Sequence, residues 1–439
     1  MIALIRLITV KIRHKTQVRF NFVYLGIELP KLMMSKSPSI PSFPAEPKKL
    51  RVRAIDIMRG LTLFLMLFVN DLFMPGVPKW LLHTEAEVDG MGLADWVFPG
   101  FLFMVGMAIP YAVAARRKIG EPTWQIWFHI ISRSISLIII GLLVVNSSSL
   151  NPQMTGMNKL LWLGMVYICI FLIWNNYPKD RNKNLFVGLK LLGIVGLLGL
   201  AYVFRAGTPE SPAWFEKSWW GILGQIGWGY LVAGSVYLLL RDKLWAAFLA
   251  IVFFLFLNVA SLSGWIPQMF SFQEFFDVVL HGNVPMIVLS GMAATLIVKK
   301  YAVDWKKLAI YLAMYGLISL IAGLIFHQWF IVSKIQATPS WGLLCNGISI
   351  LLFVLVYYFI DVRGNSRYSR LFELAGQNSL TTYLAPDLIY FLVWGFGIPL
   401  FFYKQADHMW LAVLGSLLWA YAMLWFGILL NRFGIKLKL

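Results

Sequence analysis

The chain has 439 residues, of which 59% are hydrophobic and only 13% charged, and its formal net charge is +18. A soluble protein of this length needs far more charged surface, so the composition points to a polytopic membrane protein. The apolar runs are continuous rather than alternating, which argues against a β-barrel. Lys and Arg fall in short clusters between those runs, as cytoplasmic loops require and a nucleic-acid surface does not.

Residues 1–53 are basic and irregular and end in "SKSPSIPSFPAEPKKLRVR". They read as a flexible cytoplasmic arm, without a convincing signal-peptide core, and the expected start of translation is Met33 or Met34. Twelve apolar segments follow, at about 54–74, 93–115, 124–146, 159–176, 185–204, 220–240, 243–261, 284–299, 307–327, 341–361, 374–396 and 409–431. The expected fold is therefore all-α, a polytopic helical membrane protein with about twelve transmembrane helices. With twelve crossings every basic cluster, from "AARRK" (114–118) to the tail "NRFGIKLKL", lies on one side, with both termini cytoplasmic. His83, His281, His327 and His408 then lie on the other side. Cys169 and Cys345 sit inside apolar runs and read as free core residues, and no His/Cys/Asp set has metal-ligand spacing.

The first span, "AIDIMRGLTLFLMLFVND", carries Asp56, Arg59 and Asn70. At about 100° per residue these three share one helix face, a polar line roughly 20 Å long. The plainer reading is an i,i+3 ion pair of Asp56 and Arg59 near the interface, but Asn70 at the far end of the same face is not explained by it. In the stretch "HTEAEVDGMGLADWVFPGFLF" (83–103), Asp95 opens the second span and His83 stands in the loop before it. Asp95 fits a helix cap as well as a catalytic group, and histidine is the usual general base near neutral pH. Glu85, Glu87 and Asp89 read as solvated loop charges. Arg133 lies well inside the third span, where an arginine needs a partner or an aqueous cavity; Asp56 is one possible counter-ion and an anionic ligand another. There is no Walker loop, dinucleotide fingerprint or Gly-x-Ser-x-Gly elbow.

The order Asp56, Arg59, Gly60, Val69, Asn70, His83, Ala94, Asp95, Val97, Phe98, Pro99, Phe101 resembles the conserved pattern of the heparan-α-glucosaminide N-acetyltransferase family. "RSISLIIIGLLVVN" with Arg133, "GILGQIGWGYL" with Gln225, "KIQATPSW" with Lys334 and "GQNSLTTYL" with Asn378 are weaker likenesses to later segments of that family. The likeness extends over about residues 51–439. It departs where Ile226 replaces an Arg, where Pro386 or Asp387 stands for a His, and at residues 147–219, an apparent inserted helical hairpin in a ten-helix core. The resulting domain reading is a 1–53 arm and a transmembrane acyltransferase domain over 54–439.

The resemblance implies an enzyme that moves acetyl from cytoplasmic acetyl-CoA to an amino sugar, of the glucosamine or heparan type, across a bacterial inner membrane. It implies His83 as the active-site group, either acetylated or acting as base, with Asn70 and Asp95 beside it. Arg59, Arg133, Arg116 and Asp56 would serve the CoA end, and Asn378, Gln225 and Lys334 the cavity. It also implies a dimer. O-acylation of a glycan or lipid-linked sugar is a second enzyme reading, and a secondary transporter, using the Asp56–Arg59 face, a reading from another class.

Overall fold

The computed structural model describes residues 52–178, 182–217, 219, 221–266, 273–365, 369–400 and 402–439. The predicted arm, apart from its last two residues, lies outside them, as do Met33 and Met34. The remainder is helical: α1 (Arg53–Asp71), α2 (Leu93–Lys118), α3 (Thr123–Asn146), α4 (Lys159–Trp174), α5 (Lys183–Val203), α6 (Ile222–Leu240), α7 (Leu244–Leu262), α8 (Asn283–Tyr301), α9 (Trp305–Phe326), α10 (Pro339–Tyr357), α11 (Arg370–Gln377), α12 (Ser379–Gly395) and α13 (Met409–Arg432), with shorter helical turns between them. Among the described residues, nine helices are long and apolar enough to cross a membrane. The 16-residue α4, the 17-residue α12 and α1, whose charges break its apolar run, occupy the other three predicted segments. The protein is a polytopic all-α membrane protein. Predicted and observed segments agree to within a few residues except at 374–396, where Asn378 separates the amphipathic α11 from the apolar α12.

α2 and α8 form the enclosed centre of the bundle. They cross closely enough that a Cβ on Gly106 would come 1.8 Å from the Val288 carbonyl oxygen, and one on Gly291 1.9 Å from that of Phe103. α1 packs on α2, α10, α11 and α13, so Asp56 and Arg59 at its start are turned into protein rather than lipid. The 147–219 segment packs α4 against α5 and touches the remaining helices lightly, mainly at α3 and α12. It also holds a two-stranded hairpin, β1 (Ala206–Thr208) and β2 (Ser211–Ala213), which the sequence reading did not anticipate. The chain enters and leaves this segment side by side: Leu150 and Ala206 form an antiparallel bridge, and the Asn151 amide donates to the Arg205 carbonyl at 2.9 Å.

Candidate active site

The loop after α1 descends through two short 3₁₀ turns, Met74–Gly76 and Lys79–Leu81, and delivers His83 to the start of α2. There Asp95, fully buried, holds the loop closed with both carboxylate oxygens. Oδ2 accepts the backbone N–H groups of Thr84 and Gly92, each at 3.0 Å, and Oδ1 lies 2.7 Å from His83 Nδ1. One side chain thus closes the first turn of α2, from the third position after the Gly92 cap, and holds the His83 ring. An ionised carboxylate only accepts hydrogen bonds, which assigns the ring proton to Nδ1 and leaves the lone pair on Nε2. The Trp341 indole N–H donates to the Asp95 carbonyl at 3.2 Å and so packs α10 behind the site. The His83 side chain is 43% exposed while that of Asp95 is 1% exposed, the arrangement of an accessible reactive group on a buried support.

Lys334 arrives from a loop some 250 positions later. Its Nζ stands 3.1 Å from His83 Nδ1 and 3.4 Å from Nε2. Burial pushes the Lys334 amine below its usual range, against the pull of the Asp95 carboxylate. The Lys334 loop is held at many points. Asn283 Nδ2 donates to the carbonyls of Ala337 and Thr338, both at 2.9 Å, and Asn258 Nδ2 donates to those of His281 at 2.9 Å and Ala337 at 3.1 Å. Ala337 adopts a left-handed φ of 49°, a strained backbone that this network stabilises. The Ser333 hydroxyl and the Gln336 amide both donate to the Ala86 carbonyl, at 2.9 and 3.0 Å, tying the Lys334 loop directly to the His83 loop.

Asp89 is solvated, as expected, but it also has fixed partners: Oδ1 accepts the Val332 N–H at 2.8 Å and Oδ2 meets His327 Nε2 at 2.7 Å. The Val332 backbone bond, with the His327 bond behind it, holds the Asp89 carboxyl below its usual range. His327, with no role expected from sequence, is the other half of that clip.

The remaining candidates fall into separate places. Asn70, in the last turn of α1, is exposed and its side chain makes no hydrogen bond to another described residue, including His83. Its neighbour Asp71, unremarked in the sequence, is buried and is gripped by the hydroxyls of Tyr390 and Tyr403 and by Lys404 Nζ at 3.0 Å. At the other end of α1, Arg59 donates through Nε to the Gly376 carbonyl at 2.6 Å and through Nη2 to Asp56 at 2.8 Å. This fastens α11 across α1, where a Cβ on Gly60 or Gly376 would meet backbone at 1.8 or 2.0 Å. Asn378, next to this crossing, is buried; its Nδ2 bonds the Leu374 carbonyl while its Oδ1 has no partner. Arg116 pairs with Glu121 at 2.9 Å. Arg133 forms no ion pair with a described residue, so Asp56 is not its counter-ion; its guanidinium lies 4.8 Å from the Tyr230 ring centre. Gln225 occupies the first turn of α6. The structure therefore brings together His83, Asp95 and Lys334, and separately Asp56 and Arg59 beside Asn378.

At one end of the helical bundle the protein thus sets an accessible imidazole on a buried carboxylate, with a lysine against the ring. The chain belongs to the family described as a domain of unknown function, DUF5009, which matches residues 51–275. It is similar to the heparan-alpha-glucosaminide N-acetyltransferase of Homo sapiens, 35% identical over 96 residues, and to that of Mus musculus, 32% identical over 139 residues. Those stretches are 22% and 30% of this chain and only 14% and 21% of the two relatives' own lengths. It is also similar to an undecaprenyl-diphosphatase of Lactobacillus delbrueckii subsp. bulgaricus, 26% identical over 229 residues, 49% of this chain and 75% of that protein.

Proposed function

We propose that the protein transfers acetyl from acetyl-CoA, bound from the cytoplasm, to the amine of an amino sugar at the opposite face of a bacterial inner membrane. The observation that carries this reading is the His83–Asp95 pair, which leaves a single imidazole nitrogen with a lone pair beside a lysine. Similarity to the two acetyltransferases supports the donor and the class of acceptor. In the transfer, the acceptor amine attacks the thioester carbonyl carbon, a C–N bond forms and the C–S bond breaks. His83 Nε2 takes the amine proton, and the departing thiolate is protonated to the CoA thiol. Acetylation of Nε2 itself, followed by transfer to the amine, uses the same nitrogen and the same support. Asp95 stabilises the imidazolium or acyl-imidazolium that either route creates. Lys334 places a positive charge where the oxyanion of the tetrahedral intermediate develops, and Asn70 offers an uncommitted amide to the same oxygen.

For the donor, Arg133 alone of the three candidate arginines has no carboxylate partner among the described residues, and we assign the CoA phosphates to it before Arg59 and Arg116, which pair with Asp56 and Glu121. The orphan Oδ1 of Asn378 is an acceptor for a donor group on the ligand or for water. A lipid-linked sugar as acceptor is a second reading, supported by similarity to a protein named for a polyprenyl diphosphate. The test is transfer of labelled acetyl from acetyl-CoA to glucosamine, galactosamine, heparin-derived oligosaccharides and a polyprenyl-linked amino sugar, by wild type and His83→Ala. Wild type should acetylate one of these and His83→Ala none. Equal transfer by both proteins overturns the assignment of His83, and the acceptor that turns over decides between the readings.

A further inference from the structure

The 147–219 segment carries a cleft of its own, remote in sequence from the groups above. It has a volume of about 340 Å³ and is lined by Tyr202, Arg205, Pro212, Ala213 and Trp214, with no acidic side chain among them. The Arg205 guanidinium is anchored through Nη1, which donates to the carbonyls of Tyr202 and Phe204 at 2.7 Å each. Its Nε and Nη2 have no acceptor, and no carboxylate pairs with it among the described residues. An arginine that lines a cleft and is fixed at one nitrogen keeps its other donors for a bidentate oxyanion. The walls are aromatic and held: the Trp214 indole donates to the Ala201 carbonyl at 2.8 Å, and Phe215 stacks on Phe204 at 4.2 Å. Trp214 is nevertheless 57% exposed and Tyr202 78% exposed.

An exposed apolar helix face leads to the cleft. Leu191, Val195, Leu198 and Tyr202 are all exposed, and their spacing of four, three and four residues puts them on one face of α5. This apolar stripe ends at Tyr202, the first residue of the cleft. An acyl chain can lie along such a stripe, and Trp and Tyr favour the depth at which headgroups sit. Alternating crossings put this end of α5 on the same side as the His83 loop. We propose that the cleft binds the phosphate of an anionic phospholipid headgroup, with Arg205 as the phosphate ligand, Tyr202 and Trp214 as its walls, and one acyl chain on the Leu191–Tyr202 face. The site is independent of the acyl-transfer reading and stands or falls separately from it.

The test is native mass spectrometry of the full-length protein in detergent, titrated with phosphatidylglycerol, phosphatidylcholine or inorganic phosphate. Wild type should bind one phosphatidylglycerol about fivefold more tightly than Arg205→Gln, the worth of one interfacial cation, with Arg205→Lys between them. Because Arg205 also bonds backbone carbonyls, Tyr202→Glu is the second variant: it leaves those bonds intact, opposes an anion in the cleft and should lower affinity at least as much. Equal phosphatidylglycerol binding by wild type and both variants overturns the proposal. So does equal binding of phosphatidylcholine and phosphatidylglycerol by wild type. Arg205-dependent binding of inorganic phosphate without any of phosphatidylglycerol overturns the lipid as its source.

Discussion

Asp95→Asn separates the two tasks of the central carboxylate. The carboxylate takes three donors: His83 Nδ1–H at 2.7 Å on Oδ1, and two backbone N–H groups at 3.0 Å on Oδ2. An amide has one oxygen, so one side must lose. With the oxygen toward Thr84 and Gly92, both backbone bonds survive and the amide NH₂ faces Nδ1. His83 must then accept at Nδ1, and its proton moves to Nε2. The opposite orientation confronts two buried N–H groups with an NH₂ and costs two unsatisfied donors, at about 1–3 kcal/mol each. The first orientation is therefore preferred, the loop stays closed, and the fold loses one charge-assisted bond, about 1.5–3 kcal/mol. Catalysis loses the lone pair at the reacting nitrogen. By analogy with a triad aspartate changed to asparagine, kcat should fall about 10⁴-fold, or roughly 5.5 kcal/mol of barrier. The assay is steady-state acetyl transfer by protein in lipid nanodiscs, with thermal unfolding measured on the same sample. A folded Asp95→Asn protein with kcat within threefold of wild type would show that the carboxylate does not set the state of His83.

Two further outcomes follow from packing and from titration. Gly291→Ala forces its Cβ against the α2 backbone at 1.9 Å, with no side chain free to yield, so the α2–α8 crossing must open. A loss of about 1–3 kcal/mol in stability is expected, read by thermal unfolding, and an unchanged midpoint would contradict the close crossing. His281 is held below its ordinary value of 6.5, chiefly by burial, which favours its neutral form in the folded protein. A group whose folded pKa is depressed contributes stability above its unfolded value and loses it as pH falls through the folded one. The unfolding temperature should accordingly drop below about pH 6.5, and His281→Gln should flatten that drop; the same slope in both proteins would refute it.

The helices could be read from the chain because lipid demands continuous apolar runs, and only protein contact permits the charges of α1. The break at Asn378 was missed because a window of mean hydropathy averages an amphipathic turn into the span beside it. His83 and Asp95 were within reach of sequence reasoning, twelve residues apart across one helix start. Lys334 was not, except through resemblance, since loop closure over some 250 residues leaves no local signal. Asp71 hid for a different reason: a carboxylate at a helix end reads as solvated, and its partners Tyr390, Tyr403 and Lys404 belong to the far C-terminal part. The adjoining "VND", one free amide and one acid at the outer end of a polar face, was the available clue.

The bridge between Leu150 and Ala206 brings together the two ends of the stretch that holds α4 and α5. A chain that departs and returns through neighbouring residues can gain or lose what lies between while both neighbours stay in place. Excision is not free of chemistry, however, because the Tyr167 hydroxyl of α4 donates to Asp387 of α12. Remove that stretch and a carboxylate in the apolar part of the bundle loses its hydrogen-bond donor. A shortened version of this protein should need a compensating change at position 387.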